Sequence, residues 1–130
     1  MAIPAGSQRE NETLLRAAVL FKFGGTSDAD IYLGSPPLAA ALHRLLQSVV
    51  QAATQAGGTK EAEGWRRTYR LAGHAERWNT VAAYAARHPR WDSLGSQERR
   101  DWIDVIASPY WLSEEEYVDL IQAAEESNEK

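Results

Sequence analysis

Apolar side chains at Leu38, Leu42, Leu45, Val49 and Ala53 recur at intervals of four, three, four and four, the period of a helix that turns one face to a core. Ser35 suits the cap of that helix and Pro36 its first position, where a missing N–H costs nothing; Gly57-Gly58 stops it. Farther on, Trp78, Val81, Ala82 and Ala85 stand at i, i+3, i+4 and i+7, which predicts a buried face that includes Trp78, and Pro89 ends that run. Ser96 is placed to cap a helix carrying Trp102, Val105 and Ile106, closed by Ser108-Pro109. The last helix is announced by a capping box of Ser113 and Glu116 and a hydrophobic staple of Leu112 and Tyr117. Its expected inner face is Tyr117, Leu120, Ile121 and Ala124. Glu114, Glu115 and Glu116 fall in its first turn, where the helix dipole favours negative charge.

Two stretches read both ways. Within residues 12–23, Leu14, Ala18 and Phe21 suit a helix, while Val19, Phe21 and Phe23 alternate like a strand; the helix is favoured. Residues 60–88 have helical texture interrupted by Gly64 and Gly73, which fits one helix or two. Gly24-Gly25-Thr26-Ser27 and Gly34 mark a loop. The expected fold is therefore all-α: a compact bundle of five or six helices forming one domain over residues 1–130, with flexible ends near 1–8 and 126–130.

A chain of 130 residues is long enough for one hydrophobic core. It has no cysteine, which removes disulfides, thiol nucleophiles, iron–sulfur clusters and cysteine zinc sites together. No charged segment followed by an apolar core opens the sequence, and no uncharged run reaches the ~18 residues of a membrane span. The expectation is a cytoplasmic protein with no membrane contact. Eleven arginines against three lysines, with abundant alanine, suggest a GC-rich bacterial genome.

The net charge of −4 is laid down unevenly. Residues 1–59 carry four basic and four acidic side chains, 60–100 nine and five, and 101–130 one and nine. An acidic C-terminal segment of this kind either folds back across the basic middle or leaves that middle free to meet an anion.

Candidate chemistry is sparse. Lys22-Phe23-Gly24-Gly25-Thr26-Ser27 is similar to the segment that opens the aspartokinase family, where such a lysine and glycine-rich turn meet a nucleotide phosphate. The similarity covers six residues, and nothing after Ser27 continues the pattern, so no family role is carried over. His43, His74 and His88 are the candidates for acid–base work near neutral pH, but none has a second histidine at a zinc-like spacing. His74-Ala75-Glu76 has the order used by zinc deaminases without the cysteine pair they need. No G-x-S-x-G elbow is present. The sequence calls for no catalytic residue, no cofactor and no metal.

One texture departs from an ordinary helical domain. All five tryptophans lie in the second half, and Trp65, Trp78 and Trp91 share their segment with six arginines. Guanidinium groups bind phosphates bidentately and indoles stack on bases, while tryptophan and arginine are also the residues most enriched at the centres of protein interfaces. The candidate binding residues are Trp65, Arg66, Arg70, Arg77, Arg87, Arg90, Trp91 and Trp111. If one helix ran through Gly73, Arg66, Arg70 and Arg77 would lie near one side of it. Five acidic residues within 60–100 and the lack of lysine-rich arms weigh against nucleic acid. The reading is a small non-catalytic protein that binds another protein or a copy of itself, with nucleic acid as the alternative.

Overall fold

A computed structural model describes residues 7–129, and it is all-α. Seven α-helices follow in order: α1 (Gln8–Lys22), α2 (Ser27–Leu33), α3 (Pro36–Gln55), α4 (Thr59–Thr68), α5 (Ala75–Ala86), α6 (Ser96–Ala107) and α7 (Glu114–Glu129). Single 3₁₀ turns at Leu71–Gly73 and Trp91–Ser93 precede α5 and α6. Residues 1–6 and 130, parts of the ends expected to be flexible, lie outside the described residues, whereas 126–129 continue α7.

The helix beyond the expected five or six is α2, in the stretch read as loop. Thr26 caps it by accepting the Ala29 N–H at 3.1 Å, and Gly25, at φ +76°, makes the left-handed turn that separates it from α1. Seven residues are too few to display a period, so only the cap marked it. Residues 60–88 resolve into two helices, because the chain leaves helical geometry between Tyr69 and His74. There it forms a parallel bridge with the α6–α7 connection, Trp111 N–H donating to Tyr69 O (2.9 Å) and Leu71 N–H to Trp111 O (3.1 Å).

Ser35 caps α3 as expected, bonding the Leu38 N–H, and Gly57 at φ +81° ends it. The α7 box is formed in both directions: Ser113 N–H donates to Glu116 Oε1 (3.0 Å) and Glu116 N–H to Ser113 Oγ (3.3 Å). At α6 the cap is Gly95, one residue before the serine assigned that role. Its N–H donates to the Glu98 carboxylate at 2.9 Å, so the glutamate supplies the bond and Ser96 becomes the first helical residue.

The central helix α3 packs on α1 and α4, while α5 lies along α7 and meets α6. Leu15, Leu42, Trp65, Val81, Ile103 and Leu120 illustrate how six helices feed one core, to which α2 adds Leu33. The tightest approach at a glycine among the described residues is at Gly34, where a Cβ would stand 2.8 Å from the Trp102 ring.

The stretch that read as helix or strand is the helix α1. Its buried residues are Leu15, Val19 and Lys22, whereas Leu14 and Phe21, two of the residues that suggested the helical period, are exposed. Lys22 is fully buried, with Nζ donating to Val105 O (3.0 Å), Ser108 O (2.9 Å) and Ser108 Oγ (2.6 Å). A charged residue at a core position hid the true inner face from a hydrophobicity pattern.

Candidate functional site

The eight candidate binding residues do not form one surface. Trp65 is 8% exposed and Trp91 2% exposed, so neither indole is open to solvent. Trp65 lies in the core face of α4, stacked on Tyr69 at 6.2 Å with rings nearly parallel, and Arg16 of α1 covers its outer side at 4.8 Å. Trp91 occupies the turn between α5 and α6. Arg99 lies 4.8 Å over its ring and donates through Nη2 and Nε to its carbonyl at 2.9 and 3.1 Å. These guanidiniums hold rings in place by cation–π contact and roof them from water.

The same arrangement recurs at Arg77 and Arg87. Arg77 turns inward, donating to the Tyr110 hydroxyl and lying over the Phe23 and Tyr110 rings. It belongs to α5 while Arg66 belongs to α4, so the single basic stripe expected for an unbroken helix does not exist. Arg87 is exposed and sits over Tyr84 beside a hollow of about 260 Å³ that His88, Pro89 and Trp102 also line. Arg90 is exposed at the turn, where its backbone N–H donates to His88 Nδ1 (3.0 Å).

What does come together is Arg66, Arg70 and Trp111. Trp111 is the one tryptophan among the large exposed apolar residues, at 40%. Its Nε1–H donates to Arg66 O (2.7 Å), and Arg70 lies 5.6 Å from its ring. A groove of about 420 Å³ beside it is lined by His43, Leu46, Gln47 and Val50 of α3. The Arg70 charge is committed elsewhere, its Nε standing 3.3 Å from Glu116. Burial pushes the Glu116 carboxyl up, but the Ser113 N–H and hydroxyl and the Arg70 guanidinium outweigh it and hold the pKa below the ordinary value.

The acidic C-terminal segment does fold back on the basic middle. Arg99 pairs with Glu125 (2.9 Å) and Arg100 with Glu114 (2.7 Å), alongside Arg70 with Glu116. Three guanidiniums of residues 60–100 are thereby matched to carboxylates of residues 101–130. The lysine of the glycine-rich string is equally unavailable: Lys22 ends a helix, not a strand, and its ammonium points into the core, so no phosphate can reach it.

Sequence reasoning missed the largest exposed apolar feature. On the outer side of α1, Leu14, Leu20 and Phe21 are exposed at 56%, 64% and 47%, with Ala17 between them. On the adjacent helix α2, Ile31 at 69% and Tyr32 at 41% are exposed as well, the Tyr32 ring lying 5.6 Å from Phe21. Helix α1 thus carries two apolar faces. The signal was present in Leu14, Ala17, Leu20 and Phe21, which lie within about 120° of one another at 100° per residue.

Among the described residues, no group of three or more histidine, aspartate or glutamate side chains is gathered to hold a metal, and no helix is long and apolar enough to cross a membrane. The chain matches no protein family, no curated protein and no solved structure.

Proposed function

We propose that this is a small bacterial, cytoplasmic, non-catalytic helical protein that binds another protein chain, a second copy included, through the outer face of α1 and α2. The observation that carries the reading is the apolar surface of Leu14, Leu20, Phe21, Ile31 and Tyr32. Single exposed apolar residues are ordinary, whereas five on two adjacent helices form a patch, and patches mark contact surfaces. Both aromatic rings in it are anchored against each other, which lowers the ordering cost of burying them on a partner. Arg9, Glu10 and Asp28 are exposed nearby and give the face a polar rim of both signs. The nucleic-acid alternative loses its stacking platforms with Trp65 and Trp91 inside, and three of the basic segment's guanidiniums are already matched to carboxylates.

The test is site-specific photo-crosslinking in the native host. A benzophenone side chain at position 31 is expected to give discrete protein adducts that disappear when Leu20→Asp is added, while the same probe at Gln51, exposed on α3, gives none. Absence of adducts at position 31, or adducts only from position 111, would overturn the reading. Leu20→Asp is a surface change and is expected to move stability by no more than about 0.5 kcal/mol.

A further inference from the structure

Four segments converge on a small hollow of about 240 Å³: the middle of α1, the end of α4, the start of α5 and the α6–α7 connection. They bring to it Arg16, Thr68, Tyr69, His74, Arg77 and Tyr110, with apolar residues of α1 along one side. We propose that this hollow is a binding site for a phosphate group, either the free ion or the terminal group of a phosphomonoester.

The charge balance carries the argument. Two guanidiniums line the hollow and no carboxylate does. The ion pairs among the described residues within 4 Å are those of Arg70, Arg99 and Arg100, so neither Arg16 nor Arg77 is matched by one. Of the nine basic residues of 60–100, Arg70, Arg99 and Arg100 are paired with the acidic C-terminus; Arg77 is not, and neither is Arg16 of α1. Glu12 and Glu61 line a neighbouring hollow that shares Arg16 and Thr68, which leaves them on its far side and not on this one.

Donor geometry agrees. Arg77 is held by its bond to the Tyr110 hydroxyl, and Arg16 by its place over Trp65, so both guanidiniums are fixed before any ligand arrives. His74 donates through Nε2–H to Thr68 O at 2.6 Å and lies edge-on to Tyr110 at 5.0 Å, which fixes its ring as well. Burial and the Tyr110 phenol raise the Tyr69 pKa, and Arg16 and Arg77 both pull it back, so both cations act on the one phenol. Two guanidiniums and two phenols line the one hollow, and guanidinium suits phosphate oxygens bidentately. The volume is below the ~300 Å³ at which drug-sized pockets begin, which limits the bound portion to a compact anion.

The test is an NMR titration of the whole protein with sodium phosphate and, separately, glycerol phosphate, against sodium chloride of equal ionic strength. Saturable shifts are expected at Trp65, Tyr69 and His74 with either phosphate and not with chloride. Arg16→Gln, at an exposed position, is expected to weaken binding at least tenfold, whereas Arg67→Gln, exposed and outside the hollow, leaves it within twofold. Saturation by phosphate alone assigns the free ion, and saturation by the ester at equal or lower concentration assigns the monoester. Shifts that follow ionic strength alone, or that survive unchanged in Arg16→Gln, would overturn the proposal. Unchanged amide spectra outside the hollow certify that Arg16→Gln is folded; should it not be, Arg16→Lys, which keeps the charge and loses the bidentate fork, is expected to weaken binding by a smaller factor.

Discussion

Truncating Trp91 to alanine is expected to destabilise the protein by about 3–5 kcal/mol, measured by chemical denaturation. That is a large share of the ~5–15 kcal/mol that holds a domain of this kind together. The ring is 2% exposed and belongs to the core cluster, in the turn between α5 and α6. Arg99, which lies over the ring and is bonded to both the Trp91 carbonyl and Glu125, would lose the surface it rests on. Trp91→Phe separates the ring from its N–H. The indole nitrogen is buried and has no acceptor among the described residues, so the phenyl ring gives up area and also removes an unsatisfied donor. Its expected cost is about 1 kcal/mol. A Trp91→Ala cost under ~1.5 kcal/mol would mean that the indole is not part of the interior.

The second large effect concerns Lys22 and pH. Burial lowers the Lys22 pKa from 10.5 to about 7. Between those values the folded protein has released a proton that the unfolded chain still holds, so unfolding takes up a proton and stability rises as pH rises. Below pH 7 both states are protonated and the full cost of burying the charge is present. The expected outcome is a gain of about 1–3 kcal/mol from pH 7 to 9.5, where one pKa unit corresponds to about 1.4 kcal/mol. The upper figure applies if the shift acts in full, and the three oxygen acceptors around Nζ, which favour the ammonium, move it toward the lower. Above pH 10 the trend reverses. Tyr69, Tyr110 and Tyr117 all have raised pKa values, led by burial, so the unfolded chain ionises its phenols before the folded protein does. In Lys22→Met the rise between pH 7 and 9.5 should vanish while the alkaline fall remains. A flat profile in the parent protein, or the same rise in Lys22→Met, would contradict the placement of this ammonium.

Where local chemistry alone decides an element, it was legible. The α3 stripe with its serine cap, proline start and glycine stop, and the α7 box of Ser113 and Glu116, are written in residues close in sequence and form as read. Features that depend on a distant partner were not. Nothing near Lys22 in the sequence announces the carbonyls of Val105 and Ser108, more than eighty residues away, that let an ammonium occupy the core. Because that position reads as polar, the Leu15, Val19, Lys22 face is not visible as an apolar stripe, and the outer face that carries Leu14 and Phe21 went unrecognised. The basic–aromatic texture failed for a related reason. Arg16 over Trp65 and Arg99 over Trp91 reach these rings from other helices, so only the fold shows that the two indoles are roofed and not open. Of the eight residues singled out, Trp111 with Arg66 and Arg70 retains a partly exposed ring, and Arg77 proves to line a hollow that the sequence did not suggest.

The interior placement of Trp65 and Trp91 moves the proposed contact surface to α1 and α2. Fluorine NMR of protein labelled with 5-fluorotryptophan, compared in H₂O and D₂O, reads the solvent exposure of each ring separately. The largest isotope shift is expected for Trp111, intermediate shifts for the half-buried Trp78 and Trp102, and almost none for Trp65 and Trp91. Shifts at Trp65 and Trp91 as large as that of Trp111 would contradict it.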